Sequence, residues 1–536
     1  MLPAGRTGKR AAADVAAEAD QSPTTYARLR AAIAAAAGGA TRIAEPPSGP
    51  GGAPRVDEKL VQAIWHEQLL HGDRLETCSR RPLRVIEPGR WNHGAGPDFR
   101  NAEIEVGGRR MRGDVEIHVE SADWDRHRHA RDFEYNHVVL HAFLHRTDPA
   151  SFDQLHNGSK VERLELAPFV NPDPETVLRS LQAEDYVQPE PAGSGRCRLV
   201  LASLDPDLVG RFLASAARQR MEEKIRRIDA QLRTDTPDQV LYQGLMTALG
   251  HKGTKTLFFL LARRTPVEEL KVFLRDAAPT ALPDALEAVM LNVANLLPAA
   301  SAPDGGPCSG SPMDAETLAY LDAVHGWWTR LAGYYEDRLM PPTRRWHSGV
   351  RPVSFPSRRI AGMARVLARL DFRSGLLDAC MAQLRKAMTD APKTARDFRR
   401  VMLAIQSLFE PAGQSYWARR YTLGGTPTPT PINLIGADRA ASLTFNVLLP
   451  MAILRARADR DAPLDAFLWR LFENFPALGE NSLTRHMRQR LFGGGNGSQW
   501  MNPRTEKAAQ ALLHIFHDCC ANNALTCDDC ALLRQT

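Results

Sequence analysis

Four residues in the first quarter of the chain, Asp98, Glu116, His118 and Glu67, are of the types that hold a divalent ion beside a water molecule. Glu116 and His118 are two apart, so on a strand they share one face. Asp98 follows Pro97 at the start of the preceding strand pattern. Glu67 shares a helical face with Leu60, Ala63 and Ile64, an odd place for a carboxylate without a partner. Two carboxylates and a backbone carbonyl make an oxygen-ligand set suited to Mg²⁺ or Mn²⁺. Such an ion acidifies water and stabilises charge on a phosphoryl group. His118 is placed to orient that water or to offset phosphate charge. The plain alternative is a turn with a solvated Asp98, a polar strand face, and Glu67 paired with an arginine.

Three further groups carry weaker chemistry. Asp123, His127 and His129 fall in 123–134, which reads as a helix capped by Ser121 or Asp123, with His127 four residues beyond Asp123. They suit a metal ligand or a phosphate contact, and equally the solvated face of an exposed helix. His137, His141 and His145 share a strand face, and core or edge positions account for them without chemistry. Near the C-terminus stand His514, His517, Cys519, Cys520, Cys527 and Cys530. Such a ligand set suits Zn²⁺ or an iron–sulfur cluster, the alternative being reduced, unliganded thiols. Between 344 and 359, Arg344, Arg345, Arg351, Arg358 and Arg359 are interleaved with Trp346, His347 and Phe355. Arginine with aromatics suits a nucleic-acid backbone and stacked bases. An arginine-rich seam between domains fits as well.

The elements that must position these residues begin after a tail. Residues 1–54 are rich in Ala, Gly and Pro and cannot bury enough surface to offset ordering, so disorder is expected there, with one helical patch at 26–37. The run 57–72 reads as a helix and 82–89 as a strand. Residues 96–124 read as two strands joined at Gly107-Gly108, the second with one apolar and one polar face. Strands at 137–145 and 161–170 follow, which makes 55–187 an α-β-β-β-α-β sandwich in an α/β or α+β class. A Pro-, Gly- and Ser-rich bridge at 188–196 leads into a mostly helical region, 197–518, interrupted by a loop at 300–312. Helical periodicity is clearest in 207–233, 235–263, 315–338, 358–371, 374–390, 395–410, 439–457, 463–473 and 504–518. A Cys-rich segment, 519–536, closes the chain.

Gly96-Pro97-Asp98-Phe99 followed by Glu116-Ile117-His118 resembles the PD-(D/E)XK nuclease superfamily. The resemblance implies a restriction-endonuclease-like core, with Mg²⁺ or Mn²⁺ held by Asp98 and Glu116, and Glu67 matching a glutamate of the first helix. It departs from the pattern at His118, where the superfamily has lysine, so His118→Lys is expected to preserve or raise activity. The phrases GRWNHGAGPDFRNAEI, RPVSFPSRRIAGMA and ADRAASLTFNVLLPMAI resemble an uncharacterised bacterial family known as a domain of unknown function. Cys520-x6-Cys527-x2-Cys530 is similar to the first three ligands of the iron–sulfur loop of endonuclease III-like glycosylases, with Cys519, His517 or Cys78 to supply the fourth.

Composition sets the class and little more. The 536 residues are 43% hydrophobic and 24% charged, with a net charge of +6 that allows a polyanionic partner without requiring one. No apolar run is long enough to span a membrane, and no secretory leader is read, so the expected location is the cytoplasm. Phosphate-loop, nucleophile-elbow and zinc-helix motifs are missing. The function these residues imply is metal-dependent hydrolysis of DNA or RNA. The alternative is a non-catalytic nucleic-acid-binding or scaffold protein with a degenerate nuclease fold.

Overall fold

Strand formation around Glu116 follows from the alternation of Val115 and Ile117 with polar neighbours, but both faces of that strand are covered. Asp114 and Glu116 are each 6% exposed and His118 only 1%. The polar face is therefore an interior surface, which the sequence pattern alone does not distinguish from a solvated one. The computed structural model describes residues 23–36, 56–181, 186, 197–298, 313–520, 530 and 532, apart from positions 73, 93–95, 172, 252, 348–349, 390–391, 393, 411–414, 494 and 496. The chain is a mixed α+β protein, and it divides into a unit of 44–190 and a unit made from 1–43 with 191–536.

In the 44–190 unit, helix α1 (Glu58–His66) begins where the Asp57 carboxylate accepts the Lys59 N–H. Strands β1 (Leu83–Glu87), β2 (Arg90–Trp91), β3 (Phe99–Val106) and β4 (Arg109–Glu120) follow. The β3–β4 turn uses Gly107 and Gly108, both at positive φ, as a tight hairpin requires. Next come a single turn, α2 (Asp123–Arg126), then β5 (Val138–His145), β6 (Phe152–Gln154) and β7 (Lys160–Glu165). The sheet runs β1-β3-β4-β5-β7-β6, with β2 also on β3. Pairings are antiparallel from β1 to β4, parallel from β4 through β5 to β7, and antiparallel between β7 and β6.

Two local features decide where side chains point. One extra residue in β3, between Phe99 and Ala102, makes a bulge. Asn101 there takes φ 56°, and its N–H and the Arg100 guanidinium are both held by Asp114. The second feature corrects the helix expected over 123–134. Arg128 adopts the left-handed conformation at φ 64°, so the helix stops after one turn and gives way to 3-10 turns at His129–Arg131 and Phe133–His137.

The second unit is helical. Its long helix Pro206–Gln231 packs against Glu506–Ile515 and against Pro23–Ala36. The last contact corrects the disordered tail: Tyr26 stacks on Phe212 at 5.5 Å and donates to Asp518 at 2.7 Å, and Arg30 grips the same carboxylate. The rest of 1–54, the bridge 188–196 and the loop 300–312 lie outside the described residues. The stretch 235–263 is two helices, Pro237–Leu249 and Lys255–Arg264, because the chain folds back on itself at Gly250. A Cβ there would meet the Lys255 Cα at 2.5 Å. Among the described residues no helix is long and apolar enough to cross a membrane.

One buried acid in this unit makes its stability depend on pH. Glu287 is fully buried, accepts the Tyr320 hydroxyl at 2.9 Å and lies 3.7 Å from Arg365. Burial pushes its carboxyl up to about 7. The folded state thus holds the proton more tightly than the unfolded chain, and this contribution is lost as pH rises through 7. Glu287→Gln is expected to gain roughly 3 kcal/mol over the parent at pH 8 and to show little difference at pH 4. Urea denaturation at the two pH values measures this, and an equal effect at both would refute the assignment.

Candidate metal centre

The carboxylate pair is built by strand register. Phe99 lies opposite Val115 across β3 and β4, so the residues just beyond, Asp98 and Glu116, face each other on the other side of the sheet. The Asp98 N–H donates to Glu116 Oε2 at 3.0 Å, and the Ile117 N–H donates to Asp98 Oδ2 at 2.9 Å. Helix α1 packs on β4, and its Gln62 donates to Asp98 Oδ1 at 2.8 Å. Burial raises the Asp98 carboxyl to about 8, with the charge of Glu58 adding to it. Glu116 is raised well above the carboxylate range by burial and then by Asp98. Glu58, half-buried at the start of α1, is itself raised to about 7 by burial and the nearby Asp123.

On the other side of Glu116 lies a cluster of imidazoles. His118 Nε2 is 3.1 Å from His127 Nδ1 and 3.3 Å from His129 Nε2. Glu116 Oε1 stands 3.4 Å from His129 Nε2 and 3.7 Å from His118 Nε2. Behind them His118 Nδ1 is 2.9 Å from His141 Nε2, and His141 Nδ1 is 2.6 Å from Asp153. Burial, then the neighbouring imidazoles, hold His118 well below the histidine range, and burial takes His129 down to about 4. His118 is 1% exposed, so its ring faces the other imidazoles and not solvent.

The remaining sequence candidates divide. Glu67 is nine residues beyond Glu58, roughly 13 Å along α1 and its cap, and it meets the Tyr186 hydroxyl at 3.3 Å rather than the Asp98 pair. The acid that α1 turns toward Asp98 is Glu58. Arg358 is fully buried and donates to the carbonyls of Val353, Trp417, Arg420, Ile432 and Asn433. Arg359 is buried too, on the Leu249 carbonyl and His251. Both guanidinium groups are buried, and their planar forks tie loop carbonyls together rather than standing at the surface. Arg345 is partly buried near the Gly253 carbonyl, Arg351 is exposed, and the Arg344 side chain lies outside the described residues.

Among the cysteines, Cys519 and Cys530 are buried and hydrogen-bonded to each other, with Cys520 nearby. Cys527 lies outside the described residues. Beside the carboxylate pair, Gln62 and Glu58 are site residues that sequence reading missed. Their spacing of four on a helix whose other face is apolar is the signal that points to them.

A model of one protein family matches residues 58–481. The chain belongs to the family described as a protein of unknown function (DUF2851). The matched span of DUF2851 contains Asp98, Glu116, the four clustered histidines, Asp153 and the buried arginines, and it stops before the terminal cysteines. No curated protein and no solved structure matches the chain.

Proposed function

We propose that the protein is a metal-dependent nuclease that hydrolyses phosphodiester bonds of DNA or RNA through a restriction-endonuclease-like module. The observation that carries this reading is the cross-strand pair Asp98 and Glu116, held by backbone N–H groups and by Gln62 from the first helix. Two facing carboxylates, Glu116 buried and Asp98 half-buried, are a donor set that fits Mg²⁺ or Mn²⁺. Such an ion supplies positive charge where a phosphodiester's oxygens gather it. Asp98 and Glu116 would hold the ion. Glu58, titrating near neutrality, is suited to take the proton of the attacking water. Water then adds to phosphorus as the P–O bond to the leaving strand breaks. The paired thiols Cys519 and Cys530 support a structural Zn²⁺ or iron–sulfur site with Cys520 and Cys527 as part of the same reading.

One observation favours a second reading, a non-catalytic nucleic-acid-binding or scaffold protein. A neutral imidazole at 118 occupies the position of the superfamily's cationic lysine. Labelled single- and double-stranded DNA and RNA, incubated with Mg²⁺ or Mn²⁺, separate the two. The nuclease reading expects products that Glu116→Ala abolishes. It further expects Glu58→Gln to lower kcat by about 10²–10⁴-fold and to remove the rising limb of the pH profile near 7. Salt-sensitive binding with no product from any substrate would favour the scaffold.

A further inference from the structure

The imidazole cluster has a geometry that the carboxylate pair does not explain. Asp153, which Arg163 Nε approaches at 3.3 Å, accepts a hydrogen bond from His141 Nδ1–H at 2.6 Å and so keeps the ring proton on that nitrogen. That leaves His141 Nε2 bare, so it accepts from His118 Nδ1 at 2.9 Å. His118 in turn presents an unprotonated Nε2 to His127 Nδ1 and His129 Nε2. This tautomer follows from the hydrogen-bond chain rather than from observed hydrogens. A single lone pair does not account for two further ring nitrogens aimed at it. The ligand atoms of His118, His127 and His129 all lie within 4.8 Å of one another.

We propose that His118 Nε2, His127 Nδ1 and His129 Nε2 form a three-imidazole site for a zinc-class divalent ion, with Glu116 Oε1 beside two of the rings. Bonds of 2.0–2.1 Å to nitrogen and oxygen give tetrahedron edges of roughly 3.3 Å. The His118–His127 and His118–His129 separations of 3.1 and 3.3 Å are close to that length, and His127 and His129 lie within 4.8 Å of each other. Three imidazoles select a borderline ion over Mg²⁺, which prefers oxygen. The Asp153–His141–His118 chain is the outer-shell arrangement that fixes a ligating imidazole's tautomer and ring orientation. Ring packing holds the others: Tyr135 lies 4.0 Å and Trp124 5.2 Å from His129, centroid to centroid. Glu116 is thereby shared, with Oε2 facing Asp98 and Oε1 facing the histidines. The proposal does not rest on nuclease activity, because occupancy is read without substrate.

The test uses the full chain, stripped with a chelator and titrated with Zn²⁺ by calorimetry, in a background where Cys519, Cys520, Cys527 and Cys530 are all serine. One equivalent is expected to bind, and an equal concentration of Mg²⁺ is not expected to compete. His127→Ala is the cleanest variant because His127 is exposed, and it should lose at least about 100-fold in affinity. Asp153→Asn should lose about 10–100-fold through the outer shell. Co²⁺ in place of Zn²⁺ should show the visible bands of a four-coordinate nitrogen and oxygen site, diminished in His129→Ala. No Zn²⁺ binding, or equal affinity in the parent and in folded His127→Ala and His129→Ala, would overturn the assignment. Zinc binding without cleavage would leave the ion site standing and remove only the nuclease reading.

Discussion

Asp98→Asn is expected to abolish metal-dependent cleavage and, in the same variant, to make the metal-free protein more stable at alkaline pH. Loss of the carboxylate removes an oxygen ligand and costs on the order of 10³-fold in rate. The stability gain comes from proton linkage. Burial lifts the Asp98 carboxyl from an ordinary value of 3.8 to about 8. The folded metal-free protein therefore keeps this proton more tightly than the unfolded chain, and the associated stability disappears as pH rises from about 4 through 8. Asparagine does not titrate, and it can still accept the Ile117 N–H. At pH 9, after chelation, the variant should exceed the parent by on the order of 3 kcal/mol in urea denaturation, with little difference at pH 4. A variant that is less stable at pH 9, or that still cleaves, would contradict this account of the pair.

Arg358→Met is expected to cost the helical unit about 3–5 kcal/mol, a fall of roughly 10 °C in Tm. The fully buried guanidinium satisfies carbonyls from three separate segments, at Val353, at Trp417 and Arg420, and at Ile432 and Asn433. Methionine fills the space but leaves those oxygens without donors, each at a cost of about 1–3 kcal/mol. Arg358→Lys should recover little, since a point-like ammonium cannot span the carbonyls that the planar fork reaches. An unchanged Tm together with weakened nucleic-acid binding would return Arg358 to a surface role.

The two arginine roles show where sequence stops being informative. Asp98, Glu116 and His118 were legible because strand alternation is strictly local: two residues apart means one face, and a Gly-Gly turn sets the hairpin. Glu58 was not, because picking it over Glu67 requires knowing which end of α1 crosses the sheet. The convergence of His127 and His129 on His118 hinges on one left-handed residue, Arg128, which nothing in its residue type announces. His141 meets His118 through the parallel pairing of β5 on β4, and Asp153 reaches His141 from β6 by way of β7, contacts that no local pattern encodes. Interleaved arginines and aromatics read the same whether they face water or a core, and burial decided between the two for Arg358 and Arg359. The structure likewise changes the expectation for His118→Lys. At 1% exposure among three imidazoles, an ammonium would be buried without a counter-charge apart from Glu116, so loss of packing rather than restored activity is the outcome to expect.

The clasp of Tyr26 and Arg30 on Asp518 sets an order of events during synthesis. The two partners of the tyrosine hydrogen bond are 492 residues apart. The helix Pro23–Ala36 precedes the 44–190 unit in the chain, and the carboxylate it grips follows that unit. Residues 44–190 are complete long before then, and their sheet closes through contacts internal to that stretch. The segment that carries the candidate site is thus complete in the chain before the clasp of Tyr26 and Arg30 on Asp518 can be made.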